Sequence, residues 1–335
     1  MMSAEANAPA LLSVQNLVHE FVLRKHGSRQ RGVLRALCGV SFDIAKGETL
    51  GVVGESGSGK TTLARVILQV PRPTFGRVLF RGEELTQLRG RRLFEFRRFM
   101  QIVFQDPVSS LNPTWRVLDI VEEPLLGYRI GDRRGRQRKV AEVLELVGLS
   151  AAAHGRRRPR ELSGGQCQRV SIARALVLDP ELIVCDEALS ALDVLIQAQI
   201  SNLFDELRQR LGLSYLFISH DLPLVRKISD RIAVMHLGRL CELGPATALY
   251  ERPLHPYTAR LIASIPGNDP AFGIPDLAGG ELCREVPSSV QPPSGCRYHP
   301  RCPRVQDRCR TEEPVLRPAF EDHFVACHYP FGVQP

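Results

Sequence analysis

The 335-residue chain has no apolar run approaching the roughly 18–20 residues a bilayer-spanning helix needs, so no segment of it reads as a membrane helix. Its start, Met1 to Ala10, lacks a charged stretch followed by an apolar one, so no secretory leader is visible. Residues 1–10 are expected to be disordered and the chain to stay in the cytoplasm. The tight Cys-x-x-Cys pairs of zinc ribbons are missing as well. Nine cysteines in a reducing compartment then read as free thiols or metal ligands, not disulfides. An acidic excess is also lacking. The formal net charge of +8 suits an anionic partner: nucleic acid, a membrane surface or a nucleotide. What remains, 44% hydrophobic and 24% charged residues, is the mix of a globular protein long enough for more than one domain.

One stretch organises the rest: Gly54-Glu55-Ser56-Gly57-Ser58-Gly59-Lys60-Thr61-Thr62. It follows the apolar run Leu50 to Val53 and precedes a helical pattern at Leu63, Val66, Ile67 and Val70. Strand, glycine-rich loop and helix in that order are the setting of a phosphate-binding loop. The glycines let backbone N–H groups point inward as an anion nest, and the helix start adds the positive end of its dipole. Lys60 can reach the β- and γ-phosphates, and the Thr61 hydroxyl can ligate Mg²⁺. A glycine-rich turn with a chance lysine is the bland alternative, and the complete GxxxxGK[ST] pattern speaks against it.

Other pieces follow in chain order. Val14 to Arg24 alternates as a strand, with Phe21 near its end as either a base-stacking ring or an edge-strand core residue. Arg24 to Arg35 reads as a loop, Val40 to Ile44 and Gly76 to Phe80 as strands. Gln105, at the exit of the strand ending near Phe104, offers an amide oxygen to a metal or a water, although a solvated loop residue is the simpler reading. Val117 to Leu149 is helical in period. Leu162-Ser163-Gly164-Gly165-Gln166 opens another helix and makes a second anion-binding N-terminus. Leu182 to Cys185 is continuously apolar, as a strand buried on both faces of a parallel sheet should be. It ends in Asp186-Glu187, where open α/β sheets place ligands. Asp186 can hold Mg²⁺ and Glu187 can accept a proton from water. Ser190 to Asp193 leads into a long helix, Val194 to Leu211. A second buried strand, Ser214 to Ser219, ends at His220, which can sense a γ-phosphate or be an ordinary structural histidine. Ile232 to Leu243 reads as a hairpin around Gly238.

Arginine runs at 89–98, 129–139 and 156–160 raise the possibility of a nucleic-acid face. The later two carry no interleaved aromatics for base stacking, which favours solvated helix faces. Beyond Pro253 the chain becomes rich in Pro and Gly and poor in periodicity. It holds five of the nine cysteines, including Cys283, and the last four (Cys296, Cys302, Cys309, Cys327) follow C-x5-C-x6-C-x17-C. Four thiolates in such a tail suggest a tetrahedral sulfur site for zinc or iron–sulfur, which would help to order it. Unrelated free thiols are the alternative.

Together these motifs, from Val14 to Leu243, resemble the nucleotide-binding subunit of an ABC transporter. The residues at 54–62 look like its Walker A loop, Gln105 like its Q-loop glutamine and Leu162 to Gln166 like its LSGGQ signature. Asp186 and Glu187 match the end of Walker B, Ser190 to Asp193 the D-loop, His220 the switch histidine and Phe21 the base-stacking aromatic. The tail is similar to that of dipeptide/oligopeptide and related nickel importers: Gln105-Asp106-Pro107, Ser110 to Pro113, the LHPYT stretch at 254–258, and GCRYHPRC at 295–302 with Cys309 and Cys327. Ala188-Leu189 departs from the usual Pro-Thr, and Cys167 follows the signature where Gln or Arg is common.

The resemblance implies an α/β P-loop NTPase fold. It implies an N-terminal antiparallel β subdomain and a helical subdomain at about 106–170 within 11–250, then a Cys-containing extension over 251–335. It implies two ATPase subunits paired head to tail around two ATPs, with two membrane permease subunits and, indirectly, an extracytoplasmic substrate-binding protein. The place of action is the cytoplasmic face of the membrane. Thr61, Gln105 and Asp186 would organise Mg²⁺, Glu187 would polarise water and His220 would hold the γ-phosphate. Ser163, Gly164, Gly165, Gln166 and Asp193 would close the partner's nucleotide. The subfamily associates its C-terminal cysteines with a [4Fe-4S] cluster, with zinc the alternative. A soluble ABC-type ATPase acting on nucleic acid is the competing function, but such proteins usually carry two ATPase units or a long coiled-coil insertion, and neither is present.

Overall fold

The computed structural model describes residues 10–24, 31–265 and 291–332. Residues 1–9 and Cys283 lie outside them. The chain divides into two compact units, one from 1–44, 50–86 and 220–335, the other from 45–49 and 87–219.

The first unit holds a four-stranded antiparallel sheet. Leu12–Arg24 pairs with Arg31–Ile44 on one edge and with Phe75–Phe80 on the other, and Phe75–Phe80 pairs with the short strand Glu83–Glu84. Leu12, Val14, Leu37, Val40, Phe42, Ile44, Val78 and Phe80 alternate inward and are buried, as the two-residue period of a half-covered sheet requires. The second strand begins at Arg31, well before Val40. Its basic residues hide the ladder: Val22 stands opposite Val33 and Arg24 opposite Arg31 in the strand register.

The same unit carries Thr49–Val53 parallel to Arg231–His236, then Arg239–Pro245, His323–Val325 and Arg317–Phe320, each antiparallel to the one before. The hairpin around Gly238 is present. The two C-terminal strands were hidden from sequence. At three and four residues they are too short to show a period, and their partner lies about 80 residues away along the chain. A buried carboxylate anchors them. Glu242, fully buried, accepts from the Leu254 and His255 N–H groups at 2.8 Å each and lies 2.8 Å from the His323 ring nitrogen.

In the second unit Met100–Val103, Leu182–Asp186 and Ser214–Ile218 run parallel in adjacent positions. The last two are buried along their whole length, which explains their unbroken apolar sequences. Helices Val117–Gly127 and Arg133–Leu146 pack on Gly164–Leu176 through Val117, Ile120, Val121, Val140, Val143 and Leu144. Two of the three arginine runs lie on helices. Residues 90–97 form one of them, and its Phe94 stacks on Tyr128 at 4.1 Å, so this aromatic is engaged within the fold. Arg136 pairs with Glu122 at 2.8 Å and Lys139 with Asp179 at 2.5 Å. Nothing in these arrangements supports a nucleic-acid face.

Candidate functional site

The phosphate loop leaves the fully buried strand Thr49–Val53 and enters the helix Lys60–Ile67. Gly54, Gly57 and Gly59 have φ of 155°, 78° and 106°. Two of them are also required by close approach. A Cβ at Gly54 would stand 2.2 Å from the Met235 carbonyl oxygen, and one at Gly59 2.5 Å from that of Ala36. The hairpin turn braces the loop from outside: the Gly238 N–H donates to the Ser58 carbonyl at 2.8 Å. Buried Lys60 donates from Nζ to the carbonyls of Gly54 (2.7 Å) and Glu55 (3.0 Å), so its charge is held across the loop. Ser56, Gly57 and Thr61 are exposed, while Gly59 and Thr62 are half-buried.

Glu55 is tied to the C-terminal segment. Arg301 forks onto its carboxylate at 2.7 and 2.8 Å. That hydrogen-bonded pairing outweighs burial and holds the Glu55 carboxyl below the usual range. The Glu55 N–H donates to the Tyr257 hydroxyl at 2.8 Å. Neither Arg301 nor Tyr257 was singled out from sequence. The only signal was that both lie in the LHPYT and GCRYHPRC stretches that carried the subfamily resemblance.

Two further expected residues belong to this unit. Phe21 is 39% exposed and meets His19 edge to face at 4.6 Å, so it is not a core residue. His220 is exposed and stands just before Asp221, whose carboxylate caps Leu222–Ile228 by accepting from the Leu224 N–H at 3.0 Å.

The second unit holds the acids and the second anion loop. Asp186 ends its strand at 6% exposure. Glu187 has a left-handed φ of 51°, unusual for a residue with a side chain. Its N–H donates to the Ile218 carbonyl at 2.9 Å and its own carbonyl accepts from Ser190 N–H and Oγ. The turn beyond is clamped from two helices. The buried Gln168 side chain donates to the Ala188 carbonyl (2.8 Å), and Gln197 to that of Leu189 (2.9 Å). Asp193 caps the helix Val194–Leu211 by accepting from the Ile196 N–H. Ala188 and Leu189 are buried, so the unusual pair fills apolar space.

Ser163 and Gln166 form a reciprocal capping box. Ser163 Oγ accepts from the Gln166 N–H at 3.3 Å, and Gln166 Oε1 accepts from the Ser163 N–H at 3.0 Å. The Gln166 side chain thus serves the helix start. Ser163 and Gly164 are exposed, while Gly165 is buried so closely that a Cβ would lie 2.8 Å from Ile196 Cγ2. Cys167 fills a buried position, its thiol 3.4 Å from the Pro159 carbonyl. Gln105 is exposed, next to Asp106, whose carboxylate accepts from the N–H groups of Val108 and Ser109.

The zinc or [4Fe-4S] site expected at the cysteines is not supported by the structure. Cys296, Cys302, Cys309 and Cys327 come into one neighbourhood: the Cys296 N–H donates to the Cys309 carbonyl at 2.8 Å. Burial, with the charge of neighbouring thiols added, pushes Cys302 up to about 11 and Cys327 up to about 12. Yet among the described residues no group of three or more His, Cys, Asp or Glu side chains is arranged to hold a metal ion.

A phosphate loop before a helix, a buried strand ending in Asp-Glu and a capped Ser-Gly-Gly-Gln helix start define an ATP-binding cassette. The comparisons agree. The ABC transporter family matches residues 37–190, and the oligopeptide/dipeptide transporter C-terminal region matches 241–309. A probable peptide ABC transporter ATP-binding protein of Sinorhizobium fredii is 49% identical, over 95% of this chain and 90% of that one. The oligopeptide transport ATP-binding protein AppF of Bacillus subtilis is 46% identical, over 96% and 98%. Among solved structures, the dimeric ATP-binding cassette MJ0796 in a post-hydrolysis state with ADP and phosphate is 28% identical with a TM-score of 0.62, over 70% of this chain and 98% of that one. The cassette cbiO1 of Clostridium perfringens is 26% identical with a TM-score of 0.63, over 72% and 91%. The chain belongs to the ATP-binding proteins of peptide-type ABC transporters. It is an α/β ABC ATPase.

Proposed function

We propose that the chain hydrolyses ATP to drive import of dipeptides or oligopeptides. In this reading it sits at the cytoplasmic face of a membrane, on two permease subunits served by an extracytoplasmic binding protein. No helix among the described residues is long and apolar enough to cross a membrane, so the path for peptide would belong to the permeases. The observation that carries the reading is the pair of separate anion loops, 54–62 and 163–166, in a chain whose C-terminal region matches that of peptide transporters. Two loops per chain suit a head-to-tail pair in which each ATP meets the first loop of one subunit and the second of the other. We assign 11–250 to the ATPase, with its helical part at about 106–170, and 251–335 to the extension.

In each composite site the N–H groups of residues 56–62 and Lys60 would hold the phosphates, and Phe21 would stack on the base. Thr61, Gln105 and Asp186 offer only oxygen donors, a set that fits Mg²⁺, which supplies charge neutralisation on the β- and γ-phosphates. Glu187 would take the proton of the attacking water, with its backbone held by Ile218 and Ser190. His220 would keep the γ-phosphate and that water in line. Ser163, Gly164, Gly165 and Gln166, with Asp193 beside them, would close the partner's ATP.

Glu187→Gln tests the reading. Turnover in the assembled transporter should fall at least ~100-fold, as expected when a general base is removed, while MgATP binding remains. Turnover at the level of the unsubstituted protein would reject Glu187 as the base.

A further inference from the structure

The second residue of the phosphate loop carries a carboxylate, and the cassette's C-terminal segment answers it. Arg301 grips Glu55 with both guanidinium nitrogens, at 2.7 and 2.8 Å. The Arg301 side chain is 7% exposed and that of Glu55 26%, so water screens the pair little. The Glu55 N–H is held separately, on the Tyr257 hydroxyl at 2.8 Å. Neither anchor is loose. Arg301 closes a single helical turn, His299–Arg301, with its N–H on the Tyr298 carbonyl at 3.0 Å. Tyr298 is 1% exposed and packs ring to ring with Tyr257 at 5.3 Å and with His236 at 5.6 Å. His236 ends the strand Arg231–His236, which runs parallel to the strand that delivers the loop.

A loop built to receive a triphosphate gains nothing from an uncompensated carboxylate at its second residue. In a partly buried site two like charges repel more strongly than they do in water. Arg301 cancels that charge, and its planar fork also fixes where the carboxylate lies. Tyr257 fixes the peptide that precedes the inward-pointing N–H groups.

We propose that Arg301 and Tyr257 are positioning residues for nucleotide binding: the C-terminal segment neutralises Glu55 and holds the phosphate loop of the same chain in its ATP-receiving shape. This rests on residues 54–62 being the ATP phosphate loop. It gives the extension a part in ATP affinity within its own subunit.

The experiment is a calorimetric titration of the full chain with MgATP, with a thermal melt of each variant. Arg301→Gln should raise Kd about tenfold, because Glu55 is left charged and unheld. Adding Glu55→Gln to Arg301→Gln should recover most of that loss, since the opposing charge is gone. A purely structural arginine would give no such recovery. Arg301→Lys keeps the charge without the fork and should weaken binding about threefold with an unchanged melting temperature. If Arg301→Gln does not fold, Arg301→Lys carries the test. Affinity within twofold of the unsubstituted chain for the folded arginine variants, or a double variant no better than Arg301→Gln, overturns the proposal. An unsubstituted chain that binds no MgATP instead removes the assignment of the loop itself.

Discussion

The phosphate loop and the C-terminal segment are built on opposite plans. The loop's backbone course is written in nine consecutive residues, with left-handed glycines where carbonyl oxygens crowd in and a helix starting at Lys60, and distant groups only brace it. The C-terminal segment takes its shape from bonds to distant residues. Glu242 reaches His323 across 81 positions, and Glu55 reaches Arg301 across 246. A motif whose physics is local can be recognised in a sequence. A segment ordered by buried polar partners looks like an irregular tail until the partners are seen.

The largest test of that contrast is Glu242→Ala. It strips three partners at once, leaving the Leu254 and His255 N–H groups and the His323 ring buried without an acceptor. Loss of about 3–5 kcal/mol of stability is expected, read as a lowered denaturation midpoint. A change under about 1 kcal/mol would mean that the segment is held by something other than this carboxylate.

Gly59→Ala should come next and act on the loop instead. Its φ of 106° and the 2.5 Å approach to the Ala36 carbonyl leave no room for a methyl group. A strain on the order of 3 kcal/mol corresponds to about a 100-fold loss of ATP affinity, measured by equilibrium binding. Unaltered affinity would show that the loop tolerates other shapes.

Acid should loosen the aromatic cluster that supports the C-terminal segment. Burial lowers His255 to about 3 and His236 to about 4. Both are neutral when folded, and the unfolded chain takes up protons near about 6.5. Stability is therefore full above that pH and falls as pH drops below it, by on the order of 2 kcal/mol per histidine at about pH 5. His255 Nδ1 also accepts from the Tyr257 N–H at 3.0 Å, a bond that protonation there removes. Melts across this range should show the loss, and His255→Gln should flatten it. An equal slope in the variant would clear His255 of the effect.

The smallest expected effect is at Phe21. Replacement by Ala should weaken ATP binding by about 1 kcal/mol, the low end for a ring stacked on a base, and leave the melting temperature in place because the side chain is already exposed. A large loss of stability would make it a structural residue after all.

The sequence by itself determined the cassette. GxxxxGKT, LSGGQ and the apolar strand before Asp186-Glu187 each place their chemistry through local backbone geometry, and each lies on the element the pattern implies. The helix Val194–Leu211 matches its apolar period at both ends. Tertiary structure decided the rest. It extended the second strand back to Arg31, turned an arginine run into the helix Gly90–Arg97, and folded Gln166 onto Ser163. It also brought four cysteines near one another without arranging a metal-ligand group among the described residues. Above all it placed Arg301 and Tyr257 against Glu55. Hydrogen bonds and ion pairs between residues hundreds of positions apart leave no period and no spacing in a sequence. Only a fold that buries both partners together makes them strong enough to matter.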